Sequence, residues 1–463
     1  MIKRIKWWLL LFKARIKPLL HDASSFFDYW IIFSSLFNHL NIRGKRKLGL
    51  YLPFSLGVPQ DGLKDPVGIV TLKEIERRFQ PLNIEATDKA FHFNVILPTV
   101  NPLLVFGGYI GLFHFVESLL KRGCSVRLLI SEDVIPPIGL LLSQFENNSL
   151  VYRCLSRCEI VNAMDRKVTN QVGKDDVFIG YSWFTMRLAY QAAKSLNDKR
   201  AIFFIQEFEP IFHHYDSLRF LAEETYSFPH NAVFNSPQLL NYFASKQVGV
   251  FNSNQQGDYC FFKHAISEVK PPNIDEIKKR IKRKVLLYAR PESHAGRNLF
   301  EVTILALKEA IKQNVFELND WEFFGIGSLG DIKTELILTD DVELQLLQKM
   351  PYSEYISALS QYDIGISLMY APHPSVPPLE MASAGMLTIT TDFQNRSSSE
   401  MASISNNIMA ASHTMESIVS SIQQAVSRVD DFQERCDSAN INWPTSWGQS
   451  FDDKFFAEFD SMS

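Results

Sequence analysis

Residues 370–393 read YAPHPSVPPLEMASAGMLTITTDF. An apolar run ends near Tyr370 and a proline-rich turn follows. Pro377 and Pro378 suit the first turn of a helix, where a backbone N–H has no partner to lose. Glu380 falls in that first turn, and Gly385 stops the short helix before the β-rich run Leu387–Thr391. Strand, turn, helix and strand in this order form the repeating unit of a parallel sheet. The backbone N–H groups of Ser375 and Val376 can hold a phosphate at such a turn. A carboxylate at Glu380 can accept from a sugar hydroxyl, or simply complement the helix dipole.

The same alternation extends in both directions. From residue 91 the pattern predicts strands at Phe93–Leu97, Val126–Ile130, Val177–Tyr181, Ala201–Gln206 and Ala232–Asn235. Amphipathic stretches Tyr109–Arg122 and Phe184–Ser195 lie between them. A charged, proline-bearing stretch, EVKPPNIDEIKKRIKRK (268–284), reads as a linker. A second series follows: Val285–Ala289, Glu322–Gly325, Glu343–Leu347, Ile364–Leu368 and Leu387–Thr391, with a long helix at Leu299–Gln313. The expectation is an α/β protein with two Rossmann-like doubly wound domains, 91–270 and 285–440, facing a shared cleft. Residues 1–90 form an N-terminal accessory region, with an irregular connector over 43–90. The aromatics of 441–463 suggest one buried C-terminal helix.

Two further stretches carry residues suited to an anion. In VFGGYIGLFHFVESLLKRGCSVRLLI (105–130), Gly107 and Gly108 open a helix and let backbone N–H groups approach a ligand; otherwise they form a plain turn. In LLYARPESHAGRNLFEVTILALKEA (286–310), Arg290 follows a strand and Arg297 precedes a helix. Two fixed cations there suit a diphosphate, the alternative being solvated surface arginines. In AIFFIQEFEPIFHHY (201–215), Glu207, Glu209 and His213 follow a strand and are expected at the cleft, with Glu209 placed to contact a sugar or acceptor. Trp183 either lines the acceptor side or packs in the core.

Composition narrows the field. The chain has 463 residues, 46% hydrophobic and 21% charged, a mean hydropathy of −0.06 and a net charge of −4. Charges interrupt every apolar run short of the roughly 18 residues a membrane span needs. Five cysteines without a C-x-x-C pair encode neither a disulfide framework nor a zinc ribbon, and suit a reducing cytoplasm. Residues 1–50 carry ten Lys/Arg against two Asp, a net +8, leaving −12 elsewhere. The acidic body argues against nucleic acid. MIKRIKWWLLLFKARIKPLL (1–20) suits peripheral contact with an anionic leaflet on the inner face of the cell membrane, or a helix packed on the protein with its cations in water.

The motifs, in their order and spacing over residues 91–460, resemble glycosyltransferase family 4, of GT-B fold. LPTVNPLLVFGGY, FFIQEFEPIF, YARPESHAGRNLFE and HPSVPPLEMASAG are similar to the rhamnosyltransferases of rhamnan and bacterial surface-polysaccharide assembly. The resemblance implies a retaining transferase moving a sugar, L-rhamnose from dTDP-L-rhamnose, to an oligosaccharide or lipid-linked acceptor without a metal cofactor. It implies that Gly107 and Gly108 face the donor phosphates, that Arg290 and Arg297 bind the diphosphate, and that Lys349 lies near the base. Glu380 matches the second glutamate of the E-x7-E motif and holds the nucleotide's sugar. Pro372 stands where the first glutamate belongs, so His373 is expected to share contact with the transferred sugar. The C-terminal helix is implied to cross back to the first domain. No D-x-D occurs, so no metal-diphosphate site is indicated. A nucleotide-sugar epimerase or hydrolase, and a non-catalytic module of a polysaccharide-assembly complex, are the competing readings on the same fold.

Overall fold

The computed structural model describes residues 67–463 apart from 103–106, 197–198, 272, 328–335 and 349. The basic segment 1–20, the aromatic segment 24–42 and Lys349 lie outside the described residues.

Residues 67–90 are not an irregular connector throughout. They hold helix α1 (Val67–Phe79) and strand β1 (Asn83–Thr87), which pairs in parallel with β5 (Thr169–Gly173). Phe79 meets Trp183 edge-on at 5.9 Å, which pins α1 to the first lobe. Leu72 is half exposed, which blurs the apolar stripe in the sequence.

The first lobe is a seven-stranded sheet of β2 (Phe93–Leu97), β3 (Val126–Ile130), β4 (Glu159–Asn162), β6 (Val177–Gly180), β7 (Ala201–Ile205), β8 (His230–Phe234) and β9 (Tyr259–Phe261). The order is β4-β3-β2-β6-β7-β8-β9, and every pairing is parallel. Strands β2, β3, β7 and β8 are buried at every position, which is why they read as mainly apolar runs, interrupted by Asn94, Arg127, His230 and Asn231. Helix α2 (Gly107–Lys121) follows β2, and α3 (Trp183–Leu196) follows β6.

The second lobe repeats the plan with β10 (Arg283–Tyr288), β11 (Trp321–Ile326), β12 (Leu336–Thr339), β13 (Val342–Leu346), β14 (Ile364–Ile366), β15 (Leu387–Thr391) and β16 (Ile408–Ala411). Its order is β12-β13-β11-β10-β14-β15-β16. Among the described strands of this lobe, only the β12/β13 pairing is antiparallel. Helix α4 (Phe300–Lys312) follows β10, α5 (Tyr352–Leu359) precedes β14, and α6 (Pro377–Ser383) follows it. The fold is thus two Rossmann-like domains, as the alternating pattern predicted.

The tail breaks into a short turn of helix, Trp447–Ser450, and α7 (Asp453–Asp460). Asp452 causes the break: its side chain accepts the Phe455 N–H at 2.8 Å and starts a new helix. Phe451, Phe455, Phe456 and Phe459 pack with Phe115 in the first lobe's core. Among the described residues, no helix is long and apolar enough to cross a membrane.

Phe459 is fully buried. Phe459→Ala is expected to destabilise the first lobe by about 3–5 kcal/mol, the usual loss for such a truncation. Urea denaturation followed by circular dichroism checks this; an unchanged midpoint would show that the tail is not part of that core.

Candidate functional site

Each sheet reverses direction beside its first strand. In the first lobe the reversal lies between β2 and β6, in the second between β10 and β14. The crevice beyond the carboxyl ends at such a reversal is where α/β sheets take ligands. Gly107 and Gly108, Arg290 and Arg297, and the turn 370–376 follow strands at these reversals, whereas 206–215 follows β7, one strand away. Gly107 and Gly108 begin α2 after β2. A Cβ added to Gly108 would lie 2.6 Å from the Tyr181 hydroxyl, so a side chain there would force that ring to shift; Gly107 faces open space.

Arg290 and Arg297 follow β10 but face different surroundings. The Arg290 guanidinium donates through Nε to Glu292 at 2.9 Å and through Nη1 to the Tyr288 hydroxyl at 3.2 Å. Arg297 leans over the Phe212 ring of the first lobe at 4.9 Å, and its buried Nε has no hydrogen-bond partner. One cation is therefore held within its own lobe, and the other reaches across.

After β14 the chain turns sharply through Ser375, whose φ of 68° is in the left-handed region. This turn corrects one expectation. The Ser375 N–H is not offered to a ligand, because it donates to His373 Nδ1 at 3.0 Å. Accepting at Nδ1 places the His373 proton on Nε2, which is buried beside the Asn235 backbone. Burial, with the nearby charges of Arg396 and Arg297, holds the His373 pKa down to about 3, so the ring is neutral. Val376 caps α6 without a side-chain bond, and its carbonyl accepts from Leu379 and Glu380. Pro377 follows with no N–H to give.

Glu380 is almost wholly buried and accepts a hydrogen bond from the Tyr352 hydroxyl of α5. Burial raises its pKa to about 7, against the pull of Tyr352 and Tyr355. Tyr355 in turn lies close to both Glu380 and Tyr288, so a run of tyrosines connects Glu380 to the Arg290 side of the turn.

Glu209 departs from its expected place. Its carboxylate accepts the Trp183 N–H at 2.9 Å, at the first residue of α3, and its own N–H donates to the Tyr226 hydroxyl. It is thus fixed at a helix start inside the first lobe, an arrangement that favours a negative charge there. Burial nevertheless lifts its pKa to about 8. His213 accepts from Trp183 Nε1 at 3.2 Å, which anchors the same loop. The residue that meets the second lobe is Glu207, whose Oε1 accepts the His373 N–H at 3.4 Å and the Phe208 N–H at 3.0 Å.

The strand-end reading passed over several side chains at this junction. Asn235 donates to Gln206 Oε1 at 2.6 Å, leaving Gln206 Nε2 and Asn235 Oδ1 without partners. Asn395, beyond β15, donates to the Gln238 carbonyl of the first lobe at 2.5 Å. Arg396 is fully buried. Tyr288 lies within the predicted strand Val285–Ala289 and ends the observed one. Among the described residues, no cluster of His, Cys, Asp and Glu is arranged to hold a metal ion.

Residues 92–237 match the family described as WsaF, N-terminal domain, and residues 283–423 match WsaF, C-terminal domain. The O-antigen biosynthesis protein RfbC of Myxococcus xanthus is 25% identical over 236 residues, which are 49% of this chain and 16% of that protein. Sucrose-phosphate synthase from Thermosynechococcus elongatus superposes with a TM-score of 0.54 at 10% identity, over 76% of this chain and 93% of its own. HepE of Anabaena, in complex with UDP, gives 0.52 at 11% identity, over 81% and 100%. At such identities the likeness speaks for fold alone, and the fold is GT-B.

The raised Glu380 pKa makes stability depend on pH. The unfolded chain ionises this group above about pH 4.5, while the folded protein keeps it protonated until about pH 7. Stability contributed by the protonated form is therefore complete below about pH 4.5 and is lost as pH rises to about 7. Glu380→Gln keeps an oxygen for Tyr352 but cannot ionise. Relative to that variant, the parent is expected to lose on the order of 3 kcal/mol across this window. Urea midpoints measured at several pH values check it, and a difference that stays constant would refute the assignment.

Proposed function

The chain belongs to the WsaF family, both of whose domains it carries in order, and on that premise we propose that it is a glycosyltransferase of bacterial surface-polysaccharide assembly. The donor is a nucleotide diphosphate sugar, the sugar is L-rhamnose from dTDP-L-rhamnose, and the acceptor is a growing glycan. The single observation that carries this reading is a set of buried, unpartnered polar atoms between the lobes. Arg297 Nε, Gln206 Nε2 and two Arg396 nitrogens have no acceptor, and Asn235 Oδ1 and Asn395 Oδ1 have no donor. Unpaired buried donors are expensive, and a phosphate- and hydroxyl-rich ligand satisfies them. The M. xanthus protein supports the polysaccharide setting by its name, and HepE supports a nucleotide donor by its bound UDP. The segments similar to rhamnosyltransferases support the sugar, and the resemblance to family 4 supports the retained configuration.

In this scheme Arg290 and Arg297 stabilise the charge that grows on the departing diphosphate. The two guanidiniums supply the positive charge, so no metal ion is required. The acceptor hydroxyl attacks from the face the diphosphate leaves, and the departing phosphate oxygen takes its proton. Glu380 holds the nucleotide's sugar once the ligand displaces the tyrosine hydroxyl, and the family resemblance assigns Lys349 to the base. The N-terminal basic segment brings the enzyme to the inner face of the membrane, where the acceptor lies.

Incubation with dTDP-L-rhamnose and a short rhamnose-bearing acceptor is expected to lengthen the acceptor. Donor that is only hydrolysed or epimerised, or bound without turnover, would refute the reading. Arg290→Ala is expected to lower turnover by ~10²–10³-fold, the usual loss for one well-placed donor, with an unchanged circular dichroism spectrum. Near-full activity in that variant would remove Arg290 from the site.

A further inference from the structure

At the junction of the lobes a carboxylate of the first lobe sits among cations of the second. Glu207 is buried, and its Oε1 accepts the His373 N–H. The charges of Arg297 and Arg396 both act on it. Yet neither guanidinium closes an ion pair with Glu207 among the described residues, whereas Arg290, on the same turn, does pair with Glu292. Arg396 donates one nitrogen to the Met369 carbonyl at 2.7 Å, and its Nε and Nη1 are buried with no partner. Asp392 and Glu400 also act on Arg396 without pairing with it, and Asp392 instead lies 3.6 Å from His413. The buried Arg396 guanidinium and the part-buried Arg297 therefore both act on one carboxylate, while Arg297 Nε and Arg396 Nε and Nη1 stay without a partner. A fully buried arginine with two idle donors is a costly arrangement, which folding alone does not favour.

The loop that carries Arg396 is itself a contact between the lobes. Phe393 packs on Tyr242 at 6.1 Å, and Asn395 donates to Gln238. A bridge between Phe393 and Arg396 closes the turn. The guanidinium is thus fixed in direction beyond the carboxyl end of β15, next to the strand reversal.

We propose that Arg396 joins Arg297 in holding the donor's diphosphate, and that Glu207 keeps this seat in the empty protein until the diphosphate displaces it. The proposal rests on the glycosyltransferase reading and deepens it. A diphosphate brings several anionic oxygens to the donors that Glu207 leaves idle, and bidentate contact with Arg396 suits its geometry. Displacing Glu207 removes an internal competitor, so a neutral side chain at 207 strengthens diphosphate binding.

The test is isothermal titration of the full chain with UDP and dTDP, and with uridine and thymidine as controls that lack phosphate. Arg396→Gln is expected to weaken both diphosphates by ~10–100-fold, the value of a charged hydrogen bond to a buried group, and to leave the nucleosides unchanged. Arg396→Lys, which keeps the charge, is expected to recover part of that loss. Glu207→Gln is expected to bind the diphosphates several-fold more tightly, with nucleosides again unchanged. Equal losses for diphosphates and nucleosides in Arg396→Gln would assign it a purely structural role and overturn the proposal. So would unaltered diphosphate binding in either the Arg396→Gln or the Glu207→Gln variant. If Arg290→Ala loses the diphosphates while Arg396→Gln keeps them, the glycosyltransferase reading stands and this proposal falls. If the unaltered chain binds neither diphosphate, both fall.

Discussion

A parallel sheet delivers every strand's carboxyl end to the same edge, because each crossover must carry the chain back before the next strand begins. This chain applies that constraint twice. Its two sheets reverse at β2/β6 and at β10/β14, and each reversal opens a gap that no crossover covers. The glycine-opened helix, the two arginines and the proline turn lie at those gaps because they are the first residues after strands that end there. The chemistry of the junction follows from the topology before any particular side chain is considered.

What the topology leaves open is settled by charge and burial. Glu207 and Glu209 are two residues apart, and strand periodicity would send them to one face. They part because the chain enters a tight 3-10 turn at Glu209–Phe212, which sends one carboxylate to the start of α3 and leaves the other at the second lobe. Likewise Arg290 and Arg297 lie on one loop, yet one bonds to its own lobe and the other leans on Phe212. Each pair divides its labour between holding a lobe together and facing its neighbour.

The strands were legible in the sequence where both faces are buried. Phe93–Leu97, Val126–Ile130 and Leu387–Thr391 fall where the apolar runs place them, because solvent touches neither side. The predicted ends of β6, β7 and β14 ran on by one or two residues, taking in Tyr181, Gln206 and Ser367–Leu368. At those positions the chain turns toward the junction. Arg396 was not legible. In TTDFQNRSSS nothing separates a buried arginine from a solvated one, since its burial depends on first-lobe residues more than a hundred positions away. The ligand role of the Ser375 N–H was read too simply, because a neighbouring histidine ring can take the same hydrogen bond.

The chain passes between its lobes twice, once near His264 and again near Trp443, and the two passages are bonded to each other. Trp443 Nε1 donates to the His264 carbonyl at 2.8 Å, and the Ile266 N–H donates to the Pro444 carbonyl at 3.0 Å. Two straps laced together restrict how the halves can move relative to one another more than a single strap would, and an opening of the molecule must part Arg297 from Phe212.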